Sequence, residues 1–330
     1  MNQPVANESS SLIAIDGGST NTRVWFLREG RVLGRASAMV GVRDTARDGS
    51  PDKLHTALRQ MIAQVRAEQP GVQPSMVAAA GMITSPLGLA EVSHVHAPAS
   101  VEDLAKGARR SAFKEVADLP FWLFPGVRCG GVSSDDVLQT DVMRGEETLC
   151  VGLLASEHGR PPFTLLNLGS HWKLIQVDGA GRIARSRTTL SGELIHATQT
   201  ATILAGGLPG GKLERLDDAW CEQGMGELRR SGLARALFCV RLLEMEGSGS
   251  PEQRMSFLIG AYVAADQPAL VQSGFLKPES PVLLAGPGAV AKAWQRALTS
   301  AGIPARALAD DEIESAFLSG ICRLAQQLAV

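Results

Sequence analysis

The chain has 330 residues, 45% of them apolar, and a formal net charge of −2. That composition supports substantial cores and excludes wholesale disorder; acids and bases are interspersed without a basic stripe, so neither nucleic acid nor an anionic membrane surface is an expected partner. Five scattered cysteines with no CxxC pair predict a reduced, cytoplasmic protein, and the length fits one large domain or two moderate ones.

In chain order, MNQPVANESSS lacks the basic and apolar regions of a signal peptide. No apolar run approaches the ~18 residues of a transmembrane helix. Residues 11–16, 22–28 and 31–38 read as three strands, the first two joined by a polar loop and the last two by the turn Glu29-Gly30. Leu54, Leu58, Met61, Ile62 and Val65 recur at helical spacing and predict a helix over 51–68. MVAAAGMI (76–83) reads as a short buried strand ending at a loop. DVMRGEETLCVGLLA (141–155) predicts a helix that opens on an acid, with Glu146 and Glu147 expected to be solvated or paired.

Residues 162–192 then repeat the opening plan, strand, polar loop, strand, turn, strand, about 150 residues later, which suggests duplication. Helical patterns follow over 193–205, 213–245 and 252–272. PVLLAGPG (281–288) is a strand into a glycine turn, followed by a helix, a short strand near 305 and a last helix from about Asp311.

Asp16 and the loop Gly17, Gly18, Ser19, Thr20 and Asn21 pose a chemical problem. Converging backbone N–H groups and hydroxyls suit phosphate, but a carboxylate repels it. A divalent cation between them, Mg²⁺ bound partly through water, removes the conflict. The loop therefore reads as a Mg·nucleotide cradle, with a wide hairpin turn as the plainer alternative. GGLPGGKL (206–213) matches the start of a Walker A loop, but Leu213 stands where a magnesium-binding hydroxyl is needed, so it reads as a coincidental glycine loop. Gly286-Pro287-Gly288 lies between strand and helix. Too few residues remain for a dinucleotide half, so Gly286 and Gly288 read as a turn on which an adenosine lies flat.

Asp141 is a candidate helix cap, and also a candidate base for a substrate hydroxyl. Thr84, Ser85 and Glu91 follow a strand and suit a polyol; Arg144 joins them as a substrate-side candidate. His94 and His96 share a strand face, with no third metal ligand near. Lys173 shares a face with His171 and is a candidate for phosphate or a substrate carboxylate, or a surface lysine.

These features occur in the order of the actin, hexokinase and sugar-kinase superfamily. More narrowly, the chain resembles the 2-dehydro-3-deoxygalactonokinase family, through Asp16–Trp25, Gly81-Met82-Ile83, Asp141–Thr148, Gly169–Lys173 and Ser191–Leu194. The resemblance implies an α/β fold of two related actin-like ATPase (ribonuclease H-like) domains around a hinged cleft. One lobe would comprise 1–158 plus 307–330 and hold sugar and the first phosphate loop; the other, 159–306, would hold the nucleotide. It further implies that Asp16 binds Mg²⁺ through water, that Gly18–Thr20 hold the β- and γ-phosphates, that Gly169 and Ser170 form a second phosphate loop, that Gly286 and Gly288 hold adenosine, and that Asp141 is the base. The chain departs from the family pattern at Gly17 (Trp), Ser19 (Thr), Leu168 (Pro) and Trp172 (Ser). The expected partners are ATP and a small sugar acid, with a homodimer left open. The expected reaction is phosphorylation of 2-dehydro-3-deoxy-D-galactonate at its 6-hydroxyl. A kinase for another sugar acid or amino sugar, and a nucleotide sensor without turnover, are the alternatives.

Overall fold

The computed structural model describes residues 11–131 and 134–328. The N-terminal decapeptide, and with it most of the stretch read as signal-free, lies outside them. The chain divides into two compact units: Met1–Arg160 with Gly181–Ala184 and Glu314–Val330, and Pro161–Ala180 with Arg185–Ile313.

The first unit begins with β1 (Ser11–Gly17), β2 (Thr22–Arg28) and β3 (Arg31–Ala38), then helices α1 (Val42–Asp48) and α2 (Asp52–Ala67) and strand β4 (Met76–Gly81). β5 (Val95–His96), α3 (Val101–Lys106), β6 (Arg109–Ala112), β7 (Pro120–Leu123), β8 (Val127–Cys129), β9 (Asp141–Met143) and α4 (Glu146–Leu153) follow. Its main sheet has the order β3-β2-β1-β4-β7-β6. β1 is central and almost wholly buried, so it reads as a continuous apolar run; β3, the edge strand, is only partly covered. β1 runs antiparallel to β2 and parallel to β4. The apolar stripe of α2, including Leu54, Leu58, Ile62 and Val65, packs on Ile13, Ile15, Val24 and Phe26 of the sheet.

The second unit opens with β10 (Phe163–Leu168), β11 (Trp172–Val177) and β12 (Ile183–Thr189), of which Ile183 and Ala184 count with the first unit. Then come α5 (Ser191–Ala201), α6 (Asp218–Ser231), α7 (Leu233–Met245), α8 (Pro251–Gln272), β13 (Val282–Ala285), α9 (Gly288–Ser300) and β14 (Ala305–Ala307); α10 (Asp310–Gln327) follows and counts with the first unit from Glu314. The sheet order is β12-β11-β10-β13-β14, with β10, β13 and β14 parallel. This reproduces β3-β2-β1-β4-β7, so the duplication expected from sequence is present in the topology. Its core joins Leu166, Trp172 and Leu174 to residues of α8 and α9 such as Leu258, Tyr262 and Trp294.

The last helix belongs to the first core. α4 and α10 cross at contact distance through glycines: a Cβ on Gly152 would lie 1.6 Å from the Ala316 carbonyl oxygen, and one on Gly320 would lie 2.0 Å from that of Thr148. Among the described residues no helix is long and apolar enough to cross a membrane, and all five cysteines are free thiols.

Candidate active site

The turn between β1 and β2 is built by backbone. Gly17 and Thr22 are register partners, and Gly18 donates its N–H to the Asn21 carbonyl at 2.8 Å. Gly17 has no room for a side chain: a Cβ would lie 2.4 Å from Cβ of Ile83. Behind the turn, Val42 and Arg43 of α1 donate to the carbonyls of Gly18 and Ser19 at 3.3 and 2.9 Å. Asp44 fixes that end of α1 by accepting from the Gly41 N–H at 3.0 Å, with Arg47 and Lys53 beside it. The Lys53 and Gly41 hydrogen bonds hold the Asp44 carboxyl down at about 2. Ser19, Thr20 and Asn21 are exposed, and among the described residues no backbone carbonyl accepts from their N–H groups.

Asp16, at the end of β1, accepts from Arg23 Nη2 at 2.7 Å. Its side chain is 21% accessible, but the surrounding protein desolvates the carboxyl enough to push its pKa up; Arg23 pulls it back and nearby Glu146 pushes it further. Three glycines crowd this corner. A Cβ on Gly81, whose φ is +90°, would lie 2.7 Å from the Gly17 carbonyl oxygen and 3.3 Å from Asp16 Oδ1; one on Gly145 would lie 3.2 Å from Cα of Gly81. The corner therefore joins the ends of β1 and β4 to the start of α4 through bare backbone. Partly exposed carboxylate oxygen is a hard donor that suits Mg²⁺, which keeps several waters and binds substrate phosphates.

The structure corrects the expected helix over 141–155. Asp141 does not open a helix: residues Asp141–Met143 are strand β9, paired antiparallel with β8 so that Asp141 faces Cys129. Gly145, with φ of +118°, then turns the chain, and α4 starts at Glu146. Asp141 is half-buried on that short strand. Glu147 is a second correction. Rather than solvated, it is fully buried, and both its carboxylate oxygens accept from the Gly145 N–H at 2.8 Å. Burial, with Glu146 adding to it, raises its pKa to about 7. The signal was present: Glu147 precedes the buried Cys150 and Val151 by three and four residues, the spacing of one helix face.

The substrate-side candidates meet one another. Arg144 Nη1 donates to the Thr84 carbonyl and hydroxyl at 2.8 and 2.7 Å, and Nη2 donates to the Val92 carbonyl at 2.9 Å. The same nitrogen lies 3.3 and 3.2 Å from the two ring nitrogens of His94. Thr84 is fully buried and its hydroxyl donates to the Gly81 carbonyl. Thr84 and Arg144 thus brace the 84–94 loop from within. Ser85 is also buried, whereas Glu91 is exposed. His94 lies against Arg144 rather than pairing with His96, and among the described residues no group of three His, Cys, Asp or Glu is placed to hold a metal.

In the second unit the turn is one residue shorter. Leu168 pairs with Trp172, leaving Gly169, Ser170 and His171 as the loop. His171 Nε2 lies 3.1 Å from Glu193 Oε2, an exposed pair. Lys173 is not a surface lysine: it is buried on β11, opposite Asn167. Gly286, with φ of +142°, is the counterpart of Gly81, since a Cβ there would lie 2.9 Å from the Leu168 carbonyl oxygen; Gly288, at the start of α9, has open space around it. The Walker-like stretch 206–213 follows α5 rather than a strand, and the carbonyls of Pro209 and Gly211 accept from Gln199.

A duplicated α/β unit of this topology gives the protein the actin-like (ribonuclease H-like) fold. The solved activator of the 2-hydroxyisocaproyl-CoA dehydratase from Clostridium difficile, with bound ADPNP, shares that fold: TM-score 0.50 over 96% of this chain and 95% of its own, at 9% identity. The family described as 2-keto-3-deoxy-galactonokinase matches residues 16–324. The 2-dehydro-3-deoxygalactonokinase of Escherichia coli (strain K12) is 30% identical over 318 residues, covering 96% of this chain and 98% of that protein. A crystal structure of a Sinorhizobium meliloti protein described as a candidate 2-dehydro-3-deoxygalactonokinase has a TM-score of 0.74 and 25% identity, over 94% and 98% of the two chains. The chain belongs to the 2-keto-3-deoxy-galactonokinase family, and as a kinase it uses ATP.

Proposed function

We propose that the chain transfers the γ-phosphoryl group of ATP to the 6-hydroxyl of 2-dehydro-3-deoxy-D-galactonate in the cytoplasm. The observation that carries this reading is the family match from Asp16 to Leu324, which takes in every candidate site residue. The first unit is the sugar and first-phosphate lobe, and the second is the nucleotide lobe. Gly17, Gly18, Ser19, Thr20 and Asn21 hold phosphate in one, Gly169 and Ser170 in the other, and Gly286 and Gly288 leave backbone bare for adenosine. Asp16 would hold Mg²⁺ through water, and the ion would neutralise charge on the β- and γ-phosphates.

Asp141 accepts the proton of the 6-hydroxyl as that oxygen bonds to the γ-phosphorus. The bond from phosphorus to the bridging oxygen breaks, and ADP leaves with its electron pair. Ser85 and Glu91 are the direct sugar-acid contacts, and Thr84 and Arg144 shape the loop that carries them; Lys173 serves phosphate in the second unit. The test is coupled ATP consumption against a panel of 2-keto-3-deoxy sugar acids. Turnover highest with the galactonate derivative is expected. A higher kcat/KM for another acid would move the substrate, and no turnover on any would overturn the reading.

A further inference from the structure

One close approach occurs twice, once in each unit, and the proposed reaction has not used it. Gly41 caps α1, the helix that follows β3; a Cβ there would lie 2.5 Å from the Ser19 carbonyl oxygen and 2.6 Å from that of Gly18. Gly192 is the second residue of α5, the helix that follows β12; a Cβ there would lie 2.2 Å from the Gly169 carbonyl oxygen and 2.7 Å from that of Ser170. Neither position needs glycine for its dihedral angles. Gly41 is extended, with φ of −152°. Gly192 sits inside a helix, where glycine costs about 1 kcal/mol relative to alanine. What both positions share is contact with the two carbonyls of the turn that starts their unit.

That contact has a directional result. In a trans peptide the carbonyl oxygen and the following N–H point in opposite directions. The carbonyls of Gly18 and Ser19 point at the start of α1, so the N–H groups of Ser19 and Thr20 point away from it. The carbonyls of Gly169 and Ser170 point at α5, so the N–H groups of Ser170 and His171 point away from that helix. All four residues are exposed.

We propose that Gly41 and Gly192 are equivalent positioning residues, each seating the turn carbonyls of its own unit so that the following N–H groups, of Ser19 and Thr20 in one unit and of Ser170 and His171 in the other, point outward as donors for nucleotide phosphate. This rests on the kinase reading. It adds the His171 backbone to the phosphate donors, although the His171 side chain is engaged with Glu193. It also gives Gly192 a task that no sugar contact would require.

The test is titration of the ¹⁵N-labelled chain with Mg·ADPNP, read by amide NMR beside calorimetry. The four named amides should move downfield on saturation. Calorimetric binding without those shifts would overturn this inference and leave the kinase reading standing; no nucleotide binding would overturn both. The titration uses the unmodified chain, so it does not depend on a variant folding. In parallel, Gly41→Ala and Gly192→Ala should each raise KM for ATP about tenfold or more, with KM for the sugar acid unchanged. Gly179→Ala, where a Cβ meets nothing within 4 Å, serves as the control. An unaltered KM for ATP in folded Gly192→Ala would overturn the proposal.

Discussion

Arg23 donates to Asp16 at 2.7 Å across the register pair that joins β1 to β2. The arginine side chain is 52% accessible, so the pair contributes less than about 1 kcal/mol to stability. Asp16→Ala therefore keeps the fold. With the carboxylate gone, affinity for Mg·ATP is expected to fall about tenfold or more, while sugar-acid affinity is retained. Calorimetry with each ligand checks it. Unchanged Mg·ATP affinity would remove Asp16 from the cradle.

Asp141 sits on a three-residue strand rather than at a helix end, so no helix dipole accounts for an acid there. Asp141→Asn preserves shape and removes the base. The expected result is a loss of about 10²- to 10⁴-fold in kcat with nucleotide binding intact. A variant that turns over at the wild-type rate would assign the proton to another group.

Glu147 ties stability to pH. Its carboxyl is raised from 4.5 to about 7 by burial, so the unfolded chain releases this proton first as pH rises. The folded state then binds more protons than the unfolded one, and stability falls between pH 4.5 and about 7 before levelling off. The group's share of that loss is on the order of 3 kcal/mol. Glu147→Gln has no proton to release, so urea denaturation should show a flatter profile over the same range. Identical pH slopes for the two proteins would show that the carboxyl is not held neutral.

Arg144 donates to one hydroxyl and two carbonyls of the 84–94 loop. Arg144→Met keeps much of the side-chain volume and leaves those acceptors without their donor. Destabilisation by about 3 kcal/mol is expected, with KM rising for the sugar acid and not for ATP. Denaturant midpoints and a two-substrate kinetic analysis would separate the effects. A rise confined to KM for ATP would contradict the assignment of this loop to the sugar.

How far the sequence carries depends on where the determining contacts lie. β1, β2, β3 and their copies in the second unit were legible because local patterns mark them: apolar runs, turn residues and a repeated order. α2 was legible from its apolar stripe. β9 was not, because its three residues become a strand only by pairing with β8, and the delayed start of α4 depends on the positive φ of Gly145. Thr84 carried a hydroxyl suited to a sugar, but burial turned it toward Gly81 and Arg144. The roles of Gly41, Gly81 and Gly192 were invisible for a related reason. A glycine announces freedom, whereas Gly41 and Gly192 matter for what would collide with them, and Gly81 for a collision as well as for its positive φ.

The glycine crossing of α4 and α10 bears on how the protein is made. Residues 314–330 complete the first unit, yet the ribosome delivers them after the second unit has been synthesised. At about 5–20 residues per second, the nascent first unit waits on the order of ten seconds without its closing helix. During that interval the bare backbone of Gly152 and the apolar flank around it face whatever binds unfinished chains, so chaperone dependence should concentrate on the amino-terminal half.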